Sequence, residues 1–170
     1  TGGVPSLGPH TVLAPSPMLP DEFVSQVAHN NLDAVWHDDR VWVAIRTAPS
    51  HFASPNTVLY VVSSPDLATW RFEGSFAIGT DIREPQFVSH NGRLWLYYAE
   101  LGRNPLDFEP KGTHRHEYRG PGDWTDAERI FTPSTIVWRV KTIDGRLNAI
   151  GYAGGEGIYD GTTGSIDTHW

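Results

Sequence analysis

Three similar hairpin segments recur along the chain at equal spacing. They read LDAVWHDDRVWVAIR, PQFVSHNGRLWLYYA and WRVKTIDGRLNAIGY, and each places an arginine directly after a turn. The interval from Arg40 to Arg93 and the interval from Arg93 to Arg146 are both 53 residues. Each turn is rich in Asp, Asn or Gly, which tolerate left-handed backbone conformations. Equal spacing of similar units predicts a protein built from repeated supersecondary structures.

A looser repeat predicts the outer part of each unit. The segment SSPDLATWRFEG follows the apolar run VLYVV, and its counterpart is GPGDWTDAERIF, so that Trp70 and Trp124 lie 54 residues apart. We interpret each unit as four antiparallel strands in which a Trp starts the outermost strand. About fifty residues per four-stranded sheet is typical of a β-propeller blade. A β-sandwich and an up-and-down barrel are the alternative architectures.

The predicted fold is therefore an all-β partial propeller of about two and a half blades. The predicted parts are an extended lead-in at residues 1–30 with one strand at 11–14, and a propeller at 31–170 with blades at 31–79 and 83–132 and half a blade at 136–170. A five-bladed ring needs roughly 250 residues. We expect a second polypeptide to complete the ring: the other product of a nicked precursor, a separate subunit, or another copy of this chain.

Composition limits the partners. Seven Trp, six Tyr, seven Phe, 17 Gly and 13 Pro in 170 residues suit many short strands joined by turns. A net charge of −7 argues against a nucleic-acid partner, and no run of apolar residues is long enough to span a membrane. The absence of cysteine excludes disulfides, thiolate metal sites and cysteine nucleophiles. It does not fix the compartment, although we expect a secreted or extracytoplasmic location.

The candidate site is expected where the inner strands begin. The loops between second and third strands lie on that same face, and they are long and varied, whereas the first turns are minimal. The inner strands begin with polar or aromatic residues, namely Asn30, Asn31, Asp33, Arg83, Glu84, Gln86, Trp138 and Arg139.

Asp33 and Glu84, from adjacent blades, are predicted to meet near the axis. Two carboxylates a few ångströms apart can serve as general base or nucleophile and as stabiliser. Arg83 and Arg139 would tune the carboxylates or hold substrate, and Trp138 would stack on a sugar ring. The structural alternative is that Asp33 caps a turn and Glu84 only pairs with an arginine.

At these residues the chain resembles the five-bladed propeller glycosidases: the arabinanase and β-xylosidase family, the invertase and levansucrase families, and the related β-mannoside phosphorylases. SSPDLATWRF is similar to their recurring Ser-x-Asp-Leu-x-x-Trp segment, REPQFVSHNGRLWLYYA to their second-blade segment, and NNLDAVWHDDRVWVAIRTA to their first-blade segment. The Ser-x-Asp form also resembles the Asp-box of six-bladed sialidases. The resemblance implies that Asp33 is the base or nucleophile and that Glu84 is the stabilising carboxylate.

The sequence departs from these families in three places. Ala34 follows Asp33 where Pro is usual, and Glu84 replaces an Asp. The third inner strand, IVWRVK, lacks the carboxylate that usually serves as general acid. The acid would then come from Glu156, from a histidine, or from the part that completes the ring.

Histidines in and after the long loops are further candidates. His114 and His116 are spaced i, i+2, so on a strand both rings point to the same side, which suits a metal or an acid/base site. The alternative is a solvated loop edge. His51 lies in the first long loop, where it would contact a ligand.

Together these features predict a carbohydrate-active enzyme, an exo-acting glycoside hydrolase acting on an oligosaccharide or glycoside. No cofactor is required, although the funnel leaves room for a divalent metal ion. The alternatives are a glycoside phosphorylase, a histidine-based glycan lyase, and a non-catalytic carbohydrate-binding propeller.

Overall fold

The computed structural model describes residue 6, residues 8–154 and the backbone of residues 167–169. This part of the chain is all-β, and it contains no helix long and apolar enough to cross a membrane. Its strands form three antiparallel sheets in chain order. The first sheet contains β1 (Ala28–His37), β2 (Arg40–Ala48), β3 (Val58–Ser64) and β4 (Arg71–Phe76); the second contains β5 (Ile82–His90), β6 (Arg93–Glu100), β7 (Gly112–Gly120), β8 (Asp123–Trp124) and β9 (Glu128–Ile130); the third contains β10 (Ile136–Ile143), β11 (Arg146–Ala153) and β12 (Asp167–His169).

The three repeated segments are the hairpins β1–β2, β5–β6 and β10–β11, as the sequence predicts. Each is closed by a two-residue turn in which both residues have positive φ, the geometry that matches the twist of the flanking strands. The turn residues are Asp38 and Asp39 (φ 48° and 55°), Asn91 and Gly92 (50° and 72°), and Asp144 and Gly145 (50° and 74°).

The innermost strands of the three sheets lie side by side. β1 packs beside β5, and β5 packs beside β10. Arg139 on β10 reaches past the second sheet to Asp33 on β1, with 3.6 Å between Nη1 and Oδ1. The strands therefore curve around a common line, which is a propeller-like arrangement, and the described residues form no closed ring.

The first two sheets enclose the larger core. Residues that face each other on paired strands point to the same side of the sheet, and successive residues along a strand point to opposite sides. Alternate residues of β2 and β6 therefore meet between the two sheets. Trp42 packs edge-on against Tyr118 at 4.6 Å between ring centroids. The buried members of this core are Trp42, Ala44, Leu59, Val61, Ile82, Phe87, Leu94, Leu96 and Tyr98.

The second and third sheets enclose two smaller clusters of buried side chains. One contains Val88, Trp95, Tyr97, Val137 and Val140, and the other contains Ala99, Leu101, Ile136 and Tyr152. Beside the first of these lies a cavity of about 820 Å³, open to solvent, whose lining includes Tyr97, Ile130, Val140, Leu147 and Ala149. The first junction thus has one continuous core, whereas the core of the second is divided and borders an open cavity.

The lead-in covers the outer face of the first sheet, but residues 11–14 are irregular and not the strand that the sequence predicts. Prolines at positions 15, 17 and 20 have no backbone N–H to donate to a ladder. The segment instead attaches through side chains. Leu13, Ala14, Leu19 and Phe23 pack in a cluster with Val43, Ile45 and Val62.

The outer edge of the second sheet differs from the predicted single fourth strand. Two short segments, β8 and β9, both pair with β7. Trp70 directly precedes β4 as expected, whereas Trp124 ends β8. The Trp124 indole N–H donates to the Glu73 carbonyl at 2.7 Å, so this Trp joins the two sheets.

Candidate functional site

A β-bulge interrupts each innermost strand near its start. The register shifts lie between Asn30 and Leu32 in β1, between Arg83 and Gln86 in β5, and between Val137 and Arg139 in β10. Bulges re-aim side chains and are common beside functional sites. Their recurrence gives all three sheets an irregular segment at the same end of the curved inner surface.

Two bulge residues have left-handed backbone conformations. Asn31 has φ 52° and Glu84 has φ 53°. Positive φ is uncommon outside glycine, more so for Glu than for Asn. Pro85 follows Glu84 and has no backbone N–H for the ladder, which is one local reason for the bulge in β5.

The two left-handed residues contact each other across the sheets. Asn31 Nδ2 donates to Glu84 Oε1 at 2.6 Å. The other carboxylate oxygen, Oε2, has no hydrogen-bond partner in the described part of the chain, and Glu84 is partly exposed. Asn31 Oδ1 is buried and has no hydrogen-bond partner among the described residues. A buried, unpaired acceptor is a rare feature that functional sites tolerate.

Asp33 is more tightly held than Glu84. Its Oδ2 accepts a hydrogen bond from the Phe87 backbone N–H at 2.7 Å, and its Oδ1 faces Arg139 at 3.6 Å. Its side chain is 17% exposed, against 50% for Arg139. Asp33 thus joins all three inner strands through Phe87 on β5 and Arg139 on β10, and Glu84 lies three residues before Phe87 on β5.

A buried ion pair stabilises the backbone next to these residues. Arg46 and Asp81 both have fully buried side chains, and Nη2 lies 2.6 Å from Oδ1. Burial lowers the pKa of Arg46, whereas the Asp81 carboxylate opposes that shift. Arg46 Nε also donates to the Ile82 carbonyl at 3.1 Å, and Thr57 donates to Asp81 at 2.7 Å. The pair therefore fastens β2 and the first long loop to the start of β5.

The first long loop reaches the site through His51. Asn30 Nδ2 lies 2.6 Å from His51 Nδ1, and Arg83 Nη2 donates to the His51 carbonyl at 3.2 Å. Arg83 Nε also contacts Asp81 Oδ2 at 2.5 Å. These contacts confirm that the loop between the second and third strands lies beside the starts of the inner strands.

Trp138, at the bulge of β10, is 57% exposed. Its ring meets Tyr152 edge-on, with 5.3 Å between centroids. An exposed indole at the same end as Asp33 and Glu84 offers an apolar face to a ligand. Glu156, the loop residue considered as general acid, lies outside the described residues.

His114 and His116 do point to the same side of β7, as their spacing predicts, but toward the first sheet and away from the inner strands. His114 Nε2 lies 2.6 Å from Glu100 Oε2. His116 is 7% exposed, and its ring nitrogens contact the Tyr98 hydroxyl (3.0 Å) and the Thr125 carbonyl (2.7 Å). Burial lowers the pKa of His116. No hydrogen bond or ion pair among the described residues joins this pair to Asp33 or Glu84, and these residues contain no metal-binding cluster of three or more His, Asp or Glu.

Sequence reasoning missed the Arg46–Asp81 pair. The signal was present, because Arg46 directly follows the apolar run VWVAI in a strand that is buried from Trp42 to Ala48. A charge in such a strand requires a buried partner. Asp81, directly before the second inner strand, was the available carboxylate.

Comparisons with known proteins give structural matches alone. No protein-family model and no curated protein matches the sequence. The chain is structurally similar to the Bombyx mori GH32 beta-fructofuranosidase BmSUC1, with a TM-score of 0.48 and 14% identity over 82% of this chain and 32% of that chain. It is also similar to a mutant of that enzyme in complex with sucrose, with a TM-score of 0.44 and 16% identity over the same shares.

The chain spans about a third of the length of these matched structures.

Proposed function

We propose that this chain carries part of the active site of a glycoside hydrolase, with Glu84 and Asp33 as its carboxylates. The observation that carries the proposal is the Asn31–Glu84 contact at 2.6 Å between two left-handed bulge residues of neighbouring sheets. It orients one carboxylate oxygen, and the other has no partner among the residues that the structure describes. A carboxylate held in this way is suited to reacting with, or stabilising, a sugar's anomeric centre.

The contacts favour different roles for the two carboxylates. Asp33 is engaged on both oxygens, by Phe87 N–H and by Arg139. That arrangement suits an ionised group that stabilises positive charge. Glu84 has an open oxygen, which suits the base or nucleophile. This is the reverse of the assignment that the sequence resemblance implies, and the variants below distinguish the two.

The remaining predicted site residues would contact the substrate. Trp138 would stack on a sugar ring, and Arg83, Arg139 and His51 would contact its hydroxyls. Exo-acting hydrolysis of an oligosaccharide or glycoside is the reaction that we propose. The general acid is not among the residues that the structure brings to Asp33 and Glu84.

The test uses the complete natural protein and a panel of para-nitrophenyl glycosides. Glu84→Gln and Asp33→Asn are expected to lower kcat by at least about 10²-fold, the scale of a lost acid/base or electrostatic group. If Glu84 is the nucleophile, added azide restores turnover of Glu84→Ala, whose short side chain leaves room for the anion, and not of Asp33→Ala. Glu109→Gln, at an exposed ion pair with Lys111, is the control. Full activity in both site variants contradicts the proposal.

One observation favours a second candidate, a non-catalytic carbohydrate-binding propeller. Both Asp33 oxygens are already engaged, and the third inner strand contributes Arg139 and Trp138 in place of a carboxylate. Glycan binding without turnover by the wild-type protein would favour this reading. Phosphate-dependent turnover would indicate a phosphorylase, and an unsaturated product absorbing in the ultraviolet would indicate a lyase.

We also propose that the three sheets belong to a five-bladed ring completed by a further polypeptide, in a secreted or extracytoplasmic protein. The first sheet supports this. Ala34 occupies the same repeat position as Phe87, 53 residues later, and Phe87 is buried between the second sheet and the first. On the same face of β1 as Ala34, the side chains of Leu32 and Trp36 are 65% and 58% exposed, as expected where a neighbouring blade is missing. Intact-mass measurement on the protein from its natural producer is expected to find a co-purifying fragment or a longer chain.

A further inference from the structure

We propose that Asn30 and Arg46 are positioning residues that hold His51 as the neutral tautomer with its proton on Nε2. The ring would then donate a hydrogen bond to an uncharged ligand oxygen, such as a saccharide hydroxyl. The identity of the ligand rests on the proposed function, whereas the tautomer does not.

Arg46 determines the orientation of the Asn30 amide. Arg46 Nη1 lies 2.6 Å from Asn30 Oδ1, and the Arg46 side chain is fully buried. A guanidinium has five N–H donors and no acceptor. The Asn30 atom that faces it must therefore be the carbonyl oxygen. An amide turned the other way would set N–H against N–H in a buried position.

The Asn30 amide in turn determines which nitrogen of His51 carries the proton. With its oxygen on Arg46, Asn30 presents its NH₂ group to His51 Nδ1 at 2.6 Å. That nitrogen must accept, so it carries no proton. Neutral imidazole carries one proton, which is then on Nε2. A doubly protonated ring would again set two donors against each other.

Two arginines hold the loop backbone that carries the His51 ring. The His51 carbonyl accepts from Arg83 Nη2 at 3.2 Å, and the next carbonyl, of Phe52, accepts from Arg46 Nη2 at 3.3 Å. Asp81 holds both arginines, through a different oxygen for each. The loop is therefore anchored at two successive carbonyls, those of His51 and Phe52.

The outward side of this ring suits a sugar. His51 is exposed, and its Nε2 has no hydrogen-bond partner in the described part of the chain. The Phe52 ring, 59% exposed, stands edge-on at 6.1 Å between centroids. An N–H donor beside an exposed aromatic face matches the alternation of hydroxyls and C–H faces on a saccharide. A ring limited to donation on this side cannot act there as a general base.

The test is histidine ¹⁵N NMR at pH 7 on the complete natural protein labelled with ¹⁵N-histidine. His51→Gln identifies the His51 signals by their loss. The wild-type ring is expected to carry a proton on Nε2 and none on Nδ1. In Asn30→Asp, a carboxylate replaces the amide and accepts from both sides, so a proton is expected on Nδ1. Asn56→Asp, an exposed residue near the same loop's end, is the control and should leave the spectrum unchanged.

A wild-type ring protonated on Nδ1, or an Asn30→Asp spectrum like that of the wild type, overturns the proposal. The ligand is tested with whichever para-nitrophenyl glycoside the protein hydrolyses. His51→Ala should raise KM about 5- to 10-fold, as for one lost hydrogen bond, with kcat changed less. His51→Gln, which keeps an N–H near Nε2, should restore most of the KM. Equal KM values in both variants reject the donor role, and no turnover at all rejects the proposed function while the NMR result stands.

Discussion

The two junctions between neighbouring sheets share one sequence repeat but differ in chemistry. The first junction combines a core of nine buried side chains with hydrogen bonds between its inner strands, including Asn31–Glu84 and Asp33–Phe87. The second has nine buried side chains in two separate clusters and an open cavity of about 820 Å³. The candidate site lies at the junction whose core is one continuous cluster.

The difference shows which residues make the site. The hairpin turns and the bulges recur in all three sheets. The buried ion pair does not, because the positions 53 residues after Arg46 and Asp81 hold Ala99 and Ser134. The repeat therefore builds the scaffold, and unrepeated polar residues at the first junction hold the site. Three sets of substitutions test this contrast and a fourth probes a turn outside both junctions, in order of decreasing expected effect.

Asp81→Asn should have the largest effect. It removes the carboxylate that faces Arg46 and Arg83 and leaves a fully buried guanidinium without its counter-charge. Loss of one partner of a buried pair costs about 3–5 kcal/mol of unfolding free energy. Denaturant unfolding measures the loss. Glu109→Gln, at an exposed pair, should cost about 0–1 kcal/mol, and similar losses in the two variants would refute the role given to Asp81.

The packing contrast predicts opposite results for one substitution made at the two junctions. Ala44 is fully buried in the first core, so Ala44→Leu should overpack it and cost about 1–3 kcal/mol. Ala149 lines the cavity of the second junction, so Ala149→Leu should gain about 0.5–2 kcal/mol by filling it. Thermal unfolding of both variants checks the signs. A loss of stability in both would mean that the two junctions are packed alike.

The bulges offer a subtler contrast. Asn31 is left-handed, so Asn31→Ala should be less stable than Asn31→Gly by about 1 kcal/mol. Trp138 does not have positive φ, so Trp138→Gly should be less stable than Trp138→Ala, by roughly 0.5–1 kcal/mol. Comparing unfolding midpoints within each pair cancels the lost side-chain contacts. The same order at both positions would contradict the backbone account of the first bulge.

The smallest effect is expected at an exposed turn outside both junctions. The Thr69 and Ala68 N–H groups donate to Asp66 Oδ1 at 2.7 and 2.9 Å, and they lower the pKa of Asp66 from 3.8 to about 2. Because the folded pKa is the lower one, this contribution is present above about pH 4 and is lost as the pH falls toward 2. The melting temperature of wild type should fall more steeply than that of Asp66→Asn over this range. Parallel curves would show that the turn adds nothing.

The sequence predicted the parts of the fold that depend on local chemistry. Asn91–Gly92 and Asp144–Gly145 marked tight turns because few other residues adopt positive φ without strain. The strand predicted at residues 11–14 was wrong because apolar side chains there pack without a ladder next to prolines. A short apolar run does not reveal whether its backbone will find a partner.

The site was only partly predictable. Asp33 and Glu84 were chosen because they begin neighbouring inner strands. In the structure Glu84 contacts Asn31 on the strand of Asp33, and Asp33 contacts Phe87 on the strand of Glu84. The Asn31–Glu84 contact depends on the left-handed bulges, whose φ angles no residue pattern showed. His114 and His116 were correctly placed on one side of a strand, but the sequence could not show that this side faces the first sheet.

The most direct test is a crystal structure of the complete natural protein carrying Glu84→Gln, soaked with a glycoside that the wild type hydrolyses. We predict a sugar within hydrogen-bond distance of the introduced amide and of Asp33, with its ring on Trp138 and a hydroxyl at His51 Nε2. A sugar bound elsewhere, or inner strands too far apart for residues 31 and 84 to touch, would contradict the account.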